Sequence, residues 1–335
     1  MSLNTAHIKQ PIHLVTKLLT HTRNIVITTH VNPDGDAIGS ACAMLLALRH
    51  QRKNVTVINV SQTPKNLRFL PGAQDIQQYE SAKHDDVIKK ADMILCLDFN
   101  TPKRINEMEH IIRASEATKV MIDHHTQPED FYSAAIHDVD ATSTGELIYK
   151  LLATSYPEAI NSGVAANLYA AMMTDSGNFR FPRVSSETHT IIADLLQRGA
   201  DPVSIYEQIF NTSSMPRMLM LGEALASMTL HHNGKLCVMT LTHDMFQRTG
   251  CSEDDTEGFV HNTLSIEGVV CGLLIVEKPD EVKCSFRSKG NIPANLMAGA
   301  FGGGGHVNAA GARIKGASLE ELRAKAIKAA GAHLH

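Results

Sequence analysis

The stretch Val120-Met121-Ile122-Asp123-His124-His125 decides how this chain can fold and where its chemistry lies. Its first three residues form a short apolar run typical of a buried strand, and the segment Thr126 to Glu129 breaks it. An acidic residue and two histidines therefore come at the end of a buried strand. In open α/β sheets, ligand sites form at the carboxyl ends of parallel strands. The motif alone is weak evidence, because Asp and His are often neighbours on protein surfaces.

Three further apolar runs occur in the first half of the chain. Strands are predicted at 24–30, 55–60, 93–98 and 119–123, with helical segments between them, such as the one at 38–50. Strands that alternate with helices predict a mostly parallel sheet with right-handed crossovers. The predicted fold class is therefore α/β, with an N-terminal sheet flanked by helices.

The second half of the chain has a different pattern. Strand-like runs at 236–242, 268–276 and 282–288 have few helices between them, and a helix rich in Ala, Glu and Lys is predicted over 318–330. In the third run, apolar and polar residues alternate, which is typical of a half-buried strand. This half predicts a smaller α/β domain with a mixed sheet.

The length of 335 residues favours two domains, since a domain has about 150 residues on average. The polar, helix-breaking segment Asn211–Pro216 lies between the two patterns. We therefore predict one domain over 1–200, a helical and polar linker over 201–218, and a second domain over 219–335.

The composition is that of an ordinary globular protein, with 43% hydrophobic and 20% charged residues. A net charge of −4 argues against binding of long duplex nucleic acid, so a phosphate partner should be small, with metal ions supplying positive charge. The six cysteines form no C-x-x-C pair, which suits free thiols in a reducing compartment. No apolar run approaches the roughly 18 residues of a membrane span, and a signal-peptide core is lacking, so we predict a cytoplasmic protein.

A second polar group, His30, Asp34 and Asp36, follows the strand at 24–30. Histidine at position i and Asp at i+4 and i+6 can converge on one point, and Gly35 lets the chain turn tightly between the carboxylates. Two carboxylates and an imidazole suit a divalent ion such as manganese, magnesium or zinc. A solvated turn with a loop histidine is the alternative from this stretch alone.

Asp98 and Asp175 also come at the ends of apolar segments, where a single Asp could simply be a helix cap or a turn former. With the two groups above they make a set of eight polar residues, whose like charges would repel unless cations neutralised them. Two divalent ions about 3.5–4 Å apart, sharing one carboxylate, would satisfy the set and make a phosphoryl-transfer site. The set is His30, Asp34, Asp36, Asp98, Asp123, His124, His125 and Asp175.

The second half offers two candidate phosphate-binding features. The four glycines before His306 leave backbone N–H groups unshielded and able to wrap an anion. Arg287, on the third strand-like run, could grip a terminal phosphate in bidentate fashion. A flexible loop and an exposed strand arginine are the respective alternatives.

Other polar residues have a sufficient structural explanation. Ser143 and Glu146 have the spacing of a helix-capping box. Arg180 is a weaker phosphate candidate, and an ion pair with a carboxylate is the alternative for it. His231, His232 and His261 show no ligand spacing, and we interpret them as surface residues.

The segments His30–Asp36, Asp98, Asp123–His125 and Asp175 resemble, in order and internal spacing, the four motifs of the DHH phosphoesterase superfamily. Phe286-Arg287-Ser288 and the segment Gly302–His306 resemble the DHH-associated C-terminal substrate domain. Both halves together are similar to the bacterial oligoribonuclease and 3′-phosphoadenosine 5′-phosphate (pAp) phosphatase family, the nanoRNase group. The resemblance covers nearly the whole chain.

The resemblance implies roles for individual residues. Two Mn²⁺ ions, with Mg²⁺ or Co²⁺ as substitutes, would share Asp98 as a bridge. One ion would be held by His30, Asp34 and Asp98, and the other by Asp36, Asp98, His124 and Asp175. Asp123 would orient a histidine ring, and His125 would face the substrate phosphate as donor or acid. The implied substrate-binding residues are Arg287, Ser288, Gly303, Gly304, Gly305 and His306.

The implied activity is hydrolysis of short single-stranded RNA and dinucleotides to mononucleotides, and removal of the 3′-phosphate from pAp. No long duplex and no membrane is expected as a partner, and a homodimer is compatible with the pattern. A family II inorganic pyrophosphatase is one alternative, against which the glycine run argues. The other is a nucleotide-sensing domain that has lost the chemistry, against which the complete ligand set argues.

Overall fold

A computed structural model describes residues 8–334, except for the side chains of Asp254 and His306. The chain forms two compact units that divide between Thr212 and Ser213. We call the described residues up to Thr212 unit 1 and those from Ser213 unit 2. The division falls inside the predicted linker over 201–218, whose own bounds stay a prediction.

Unit 1 contains a six-stranded sheet in which every neighbouring pair is parallel. The strand order is β3-β2-β1-β4-β5-β6, so β1, β4 and β5 lie side by side. This confirms the predicted parallel α/β sheet. The strands are β1 Asn24–Thr29, β2 Asn54–Asn59, β3 Ile76–Gln78, β4 Met93–Leu97, β5 Thr118–Asp123 and β6 Ala134–His137.

Eight α-helices accompany this sheet within the described part of unit 1. They are α1 Lys9–His21, α2 Gly35–His50, α3 Ser81–Lys89, α4 Glu109–Ala114, α5 Thr144–Ser155, α6 Ser162–Asp175, α7 Ser186–Gln197 and α8 Pro202–Phe210. Helix α2 begins three residues before the predicted start at 38, because the Asp34 side chain caps it by accepting from the N–H groups of Asp36 and Ala37.

Helix α2 is buried on nearly all sides, which explains its apolar composition. A side chain at Gly39 would come within 2.5 Å of the backbone oxygen of Asn167 on α6. Glycine is therefore required for the close approach of α2 and α6. Gly35 likewise lies directly against the Thr174 side chain, so the N-terminus of α2 meets the C-terminus of α6.

Unit 2 contains a mixed six-stranded sheet in the order β11-β12-β10-β9-β8-β7. Only β8 and β9 are parallel among the pairs of this described sheet. The strands are β7 Thr229–His231, β8 Leu236–Leu241, β9 Cys271–Glu277, β10 Glu281–Ser288, β11 Gly304–His306 and β12 Ala309–Lys315. The helices are α9 Met215–Ala226, α10 His243–Thr249, α11 Ala294–Gly299 and α12 Leu319–Gly331.

The alternating burial predicted for 282–288 is confirmed, since Val282, Cys284 and Phe286 are buried and Arg287 is half-buried. The strand predicted from 268 begins only at Cys271, because Gly268 has a left-handed conformation and Val269 closes a turn onto Ile266. Within residues 8–334, no helix combines the length and apolarity needed to cross a bilayer. All six cysteines are buried free thiols, as predicted.

Candidate metal centre

The polar residues that follow β1, β4 and β5 meet at one edge of the unit 1 sheet. His30, Asp98 and His124 each lie just beyond the carboxyl end of one of these adjacent parallel strands. The Nε2 atom of His30 lies 3.3 Å from Oδ2 of Asp98, and Nε2 of His124 lies 3.7 Å from Oδ1 of Asp98. The position expected for a ligand site in an open α/β sheet is therefore the position that these residues occupy.

Two helix ends bring further carboxylates to the same place. Asp34 and Asp36 lie at the N-terminus of α2, and Asp175 is the last residue of α6, with its Oδ2 3.3 Å from Nε2 of His124. Three groups of side chains have their donor atoms within 4.8 Å of one another, and Asp98 belongs to two of them. The groups are His30, Asp34 and Asp98; Asp36, His124 and Asp175; and Asp98, His124 and His125.

The structure thus brings together all six residues predicted as metal ligands. Asp36 and Asp98 are only 1% and 2% exposed, and burial, together with neighbouring carboxylates, raises the pKa of each well above its ordinary value. Buried carboxylates this close are tolerated at neutral pH only with a cation or with shared protons. The donor set of carboxylate oxygens and imidazole nitrogens therefore fits a divalent metal.

The N-terminus of α5 holds Asp36 in place. The backbone N–H groups of Thr144 and Gly145 donate to its two carboxylate oxygens, at 2.7 and 2.9 Å. The Thr144 hydroxyl also donates to Oδ1 of Asp98 at 3.0 Å. A helix N-terminus favours negative charge, so α5 stabilises the carboxylate form of Asp36.

The sequence had indicated only a helix start here. The Ser143 hydroxyl does accept from the Glu146 N–H, as a cap should, but the Glu146 carboxylate bonds Thr142 and pairs with Lys150 instead of closing a box. Thr144 is therefore a site residue that the sequence analysis missed.

Two of the histidines are held in the form that a metal ligand needs. Nδ1 of His124 faces the Ala141 carbonyl at 3.2 Å and Nδ1 of His30 faces the Val31 carbonyl at 2.8 Å. Each ring therefore carries its proton on Nδ1 and presents the Nε2 lone pair to the carboxylates. Burial lowers the pKa of both, to about 4 for His124, so they are neutral at physiological pH.

His125 has a different environment. Its Nδ1 lies 2.7 Å from Oδ1 of the fully buried Asp123, and its Nε2 lies 3.2 Å from Nη1 of Arg104. The Asp123 contact assigns the proton to Nδ1, so Nε2 accepts from Arg104. The ring is 37% exposed, which leaves it accessible to a substrate. The orienting role implied for Asp123 thus has a geometric basis.

Two arginines near the centre were not predicted. Arg104 is half-buried in the segment after β4, and Arg183, in the segment after α6, places Nη1 3.3 Å from Nδ1 of His124. Neither has a sequence signal beyond being basic. The weaker candidate Arg180 is exposed, and its side chain turns back to the Gly177 carbonyl.

In unit 2, the glycine run contributes to a strand. Gly304 and Gly305 pair with β12, and side chains at Gly303 or Gly305 would come within 2.2 and 2.5 Å of β12 carbonyl oxygens. Close strand approach is therefore one reason for these glycines, and anion binding by Gly303, Gly304 and Gly305 stays a prediction. The side chain of His306, also predicted to bind substrate, lies outside the described residues.

Arg287 lies on β10, where burial lowers the pKa of its guanidinium, and Nη1 donates to the Phe286 carbonyl. The hydroxyl of Ser288 donates to the Ile292 carbonyl at 2.6 Å and accepts from Asn308. A substrate contact through this hydroxyl stays a prediction, and donation to a phosphate would have to replace the bond to the Ile292 carbonyl.

We expect Asp175→Asn to stabilise the metal-free protein at neutral pH. Burial, with Asp34 nearby, raises the pKa of Asp175 from 3.8 to about 6. Between about pH 4 and 6 the folded state keeps a proton that the unfolded chain loses, so this carboxyl lowers stability as pH rises through that window. The check is the melting temperature in chelator: the variant should match the parent near pH 4 and exceed it near pH 7. An equal difference at both pH values would contradict the prediction.

Family models match both units of the chain. The model described as the DHH family, N-terminal domain, matches residues 24–174, and that of the DHHA1 domain matches 233–332.

Two curated relatives are named bifunctional oligoribonuclease and PAP phosphatase NrnA. The one from Thermus thermophilus is 29% identical over 91% of this chain and 88% of its own length. The one from Bacillus subtilis is 26% identical over 87% of this chain and 89% of its own length.

A solved structure, described as an exopolyphosphatase-related protein from Bacteroides fragilis, is 36% identical to this chain. It superimposes with a TM-score of 0.91, over 97% of this chain and 98% of that one. The fold, the ordered motifs and both family models agree, so the chain belongs to the DHH phosphoesterase family, with a DHH domain followed by a DHHA1 domain.

Proposed function

We propose that this protein is a metal-dependent phosphoesterase that hydrolyses short oligoribonucleotides and dinucleotides to mononucleotides and converts pAp to AMP. The observation that carries the proposal is the group of buried carboxylates and neutral histidines at the carboxyl edge of the unit 1 sheet. The names of the two NrnA relatives support the substrates, since their similarity extends along most of both chains.

His30, Asp34 and Asp98 would hold one divalent ion, and Asp36, Asp98, His124 and Asp175 a second. We propose Mn²⁺ as the metal, with Mg²⁺ or Co²⁺ as substitutes, as the family resemblance implies, and the mixed imidazole and carboxylate donors are compatible with it. The chemistry supplied by such ions, when bound, is a lowered pKa for water and neutralisation of the charge that develops on the phosphoryl group.

The protein's own groups would position the phosphate and move a proton. Arg104 donates to Nε2 of His125 in the structure, and a phosphate oxygen is a stronger acceptor for a guanidinium than a neutral imidazole. On substrate binding, Arg104 would turn to the phosphate and free Nε2. With its other nitrogen bonded to Asp123, His125 could then carry a proton on Nε2 and donate it to the leaving oxygen.

For unit 2 we propose that Arg287, Ser288, Gly303, Gly304, Gly305 and His306 bind the far phosphate of the substrate. We also propose a cytoplasmic location, because free buried thiols suit a reducing compartment.

The test compares an RNA dinucleotide, pAp and pyrophosphate as substrates, each with Mn²⁺ and with chelator. We expect mononucleotides from the first, AMP from the second and no reaction with pyrophosphate, and we expect chelator to stop both reactions. Hydrolysis of pyrophosphate alone would favour the inorganic pyrophosphatase instead. A lack of hydrolysis of all three, with metal bound, would favour the sensing domain.

A further inference from the structure

A cavity of about 270 Å³ opens beside the candidate metal centre in unit 1. It lies between segment 181–184, Thr142 and the Asp175–Ser176 end of α6. Asp175 therefore faces both the metal-ligand group and the cavity. A molecule in the cavity would adjoin any phosphate held at the centre.

The segment that forms one wall of the cavity has a defined shape. The N–H groups of Arg180 and Phe181 donate to the Ser176 carbonyl at 3.0 and 3.1 Å, and the Val184 N–H donates to the Phe181 carbonyl at 3.0 Å. These successive turns fold the chain back onto the end of α6. The wall is therefore built by backbone hydrogen bonds.

Gly177 leaves room for the ring of Phe181 in this wall. It has a φ of +60°, and a Cβ atom there would lie 2.5 Å from the ring of Phe181. The missing side chain thus lets the ring rest against the backbone, although Phe181 is 53% exposed. A large aromatic side chain that rests against the backbone and is about half exposed can serve as a stacking platform.

The side chain of Arg183 lies at the boundary between the cavity and the candidate metal centre. Arg183 lines the cavity, and its Nη1 comes within 3.3 Å of Nδ1 of His124. We assign the proton to this nitrogen from the Ala141 carbonyl, 3.2 Å away, and a protonated Nδ1 does not accept a hydrogen bond from Arg183. The guanidinium is therefore available to an anion or to the face of a planar ring.

We propose that this cavity binds the nucleoside attached to the phosphate that is hydrolysed. The base would stack on Phe181, and Arg183 would contact the base or the phosphate next to it. The inference rests on the proposed function and adds to it that unit 1 itself recognises a nucleoside. Apolar walls with a guanidinium on the side of the metal centre match the ring and the anion of a nucleotide.

The kinetic test pairs pAp with an analogue that keeps the ribose and both phosphates but lacks the base. Base stacking predicts that Phe181→Ala raises KM for pAp by roughly 5- to 150-fold. KM for the base-free analogue should stay as in the parent, and kcat should change little. As a control, Phe210→Ala removes a similarly exposed ring, on α8, and should leave both KM values unchanged.

A binding test gives a readout that does not depend on activity. The chain contains no Trp, so Phe181→Trp places a single indole at the cavity, and this indole can be excited selectively over the six tyrosines. Its emission should be quenched by AMP and not by ribose 5-phosphate, whereas Phe210→Trp should respond to neither.

Two results would overturn the cavity assignment and leave the proposed function intact. One is that Phe181→Ala hydrolyses pAp with the parental KM, and the other is that the emission of Phe181→Trp does not change with AMP. If the parent hydrolysed neither pAp nor RNA, the proposed function would fail. Quenching by AMP would then still establish the nucleoside site.

Discussion

Replacing Asp98 with Asn is expected to abolish hydrolysis of both pAp and RNA dinucleotide while raising the stability of the metal-free protein. Asp98 is the carboxylate that belongs to two of the three ligand groups, and it is 2% exposed. Loss of partners outside the ligand shell already lowers activity about 10- to 100-fold, so loss of a shared ligand should lower kcat by more than about 100-fold.

Asparagine is the informative substitution at this position. Asp98 has a φ of +64°, a left-handed conformation that Asn tolerates and that Ala would strain. The Asn side chain also keeps an oxygen for the Thr144 hydroxyl, which now donates to Oδ1 of Asp98. Burial raises the pKa of Asp98, so its charged form lowers the stability of the apoprotein, and a neutral amide removes that penalty.

The measurements are kcat for both substrates and the melting temperature in chelator and in Mn²⁺. The variant should melt higher than the parent in chelator and gain less from Mn²⁺. The exposed Asp130→Asn should behave as the parent in every assay. If Asp98→Asn hydrolysed the substrates at the parental rate, or if Mn²⁺ raised its melting temperature as much as that of the parent, Asp98 would not be a metal ligand.

Asp123→Asn should lower kcat by about 100-fold while leaving KM and the stabilisation by Mn²⁺ close to parental values. Asp123 is fully buried, its Oδ1 bonds Nδ1 of His125, and its Oδ2 has no partner among the described residues. An amide can present N–H to Nδ1 and shift the ring proton to Nε2, and it cannot stabilise a charged imidazolium. The effect should therefore appear in the proton-transfer step.

The stabilisation by Mn²⁺ serves as the control for this prediction. If Asp123 were itself a metal ligand, the variant would lose its response to Mn²⁺ together with its activity. An unchanged kcat would mean that His125 does not take part in the reaction. A loss of kcat with a shifted pH profile and a normal response to Mn²⁺ identifies Asp123 as a positioning residue.

The residues that could be predicted from the sequence are those whose signal is local. His30 and Asp98 follow apolar strands directly, and the parallel α/β pattern alone places strand ends at one edge. Thr144 could not be predicted as a site residue, because its N–H donates a hydrogen bond to Asp36, which lies 108 residues earlier in the chain. Such a contact depends on how α5 packs against α2, and a local pattern of polar residues does not indicate this packing.

Arg104 and Arg183 were missed for a related reason. A basic residue in an irregular segment is usually solvated, and only the fold shows that these two reach His125 and His124. The run of glycines before His306 has two structural explanations that the sequence does not separate. Unshielded N–H groups and close strand approach both require glycine, and Gly303 and Gly305 lie where β12 leaves no room for a side chain.

The order of the ligand-bearing segments also has a consequence for biosynthesis. The centre draws on segments from His30 to Asp175, and its last carboxylate comes from the end of α6. A chain emerging from the ribosome therefore has an incomplete donor set until nearly all of unit 1 has been made. Because the site needs these distant contacts, it cannot form before the segments that carry them have packed together. The donor set is thus completed together with the native packing of unit 1, and shorter nascent chains lack part of it.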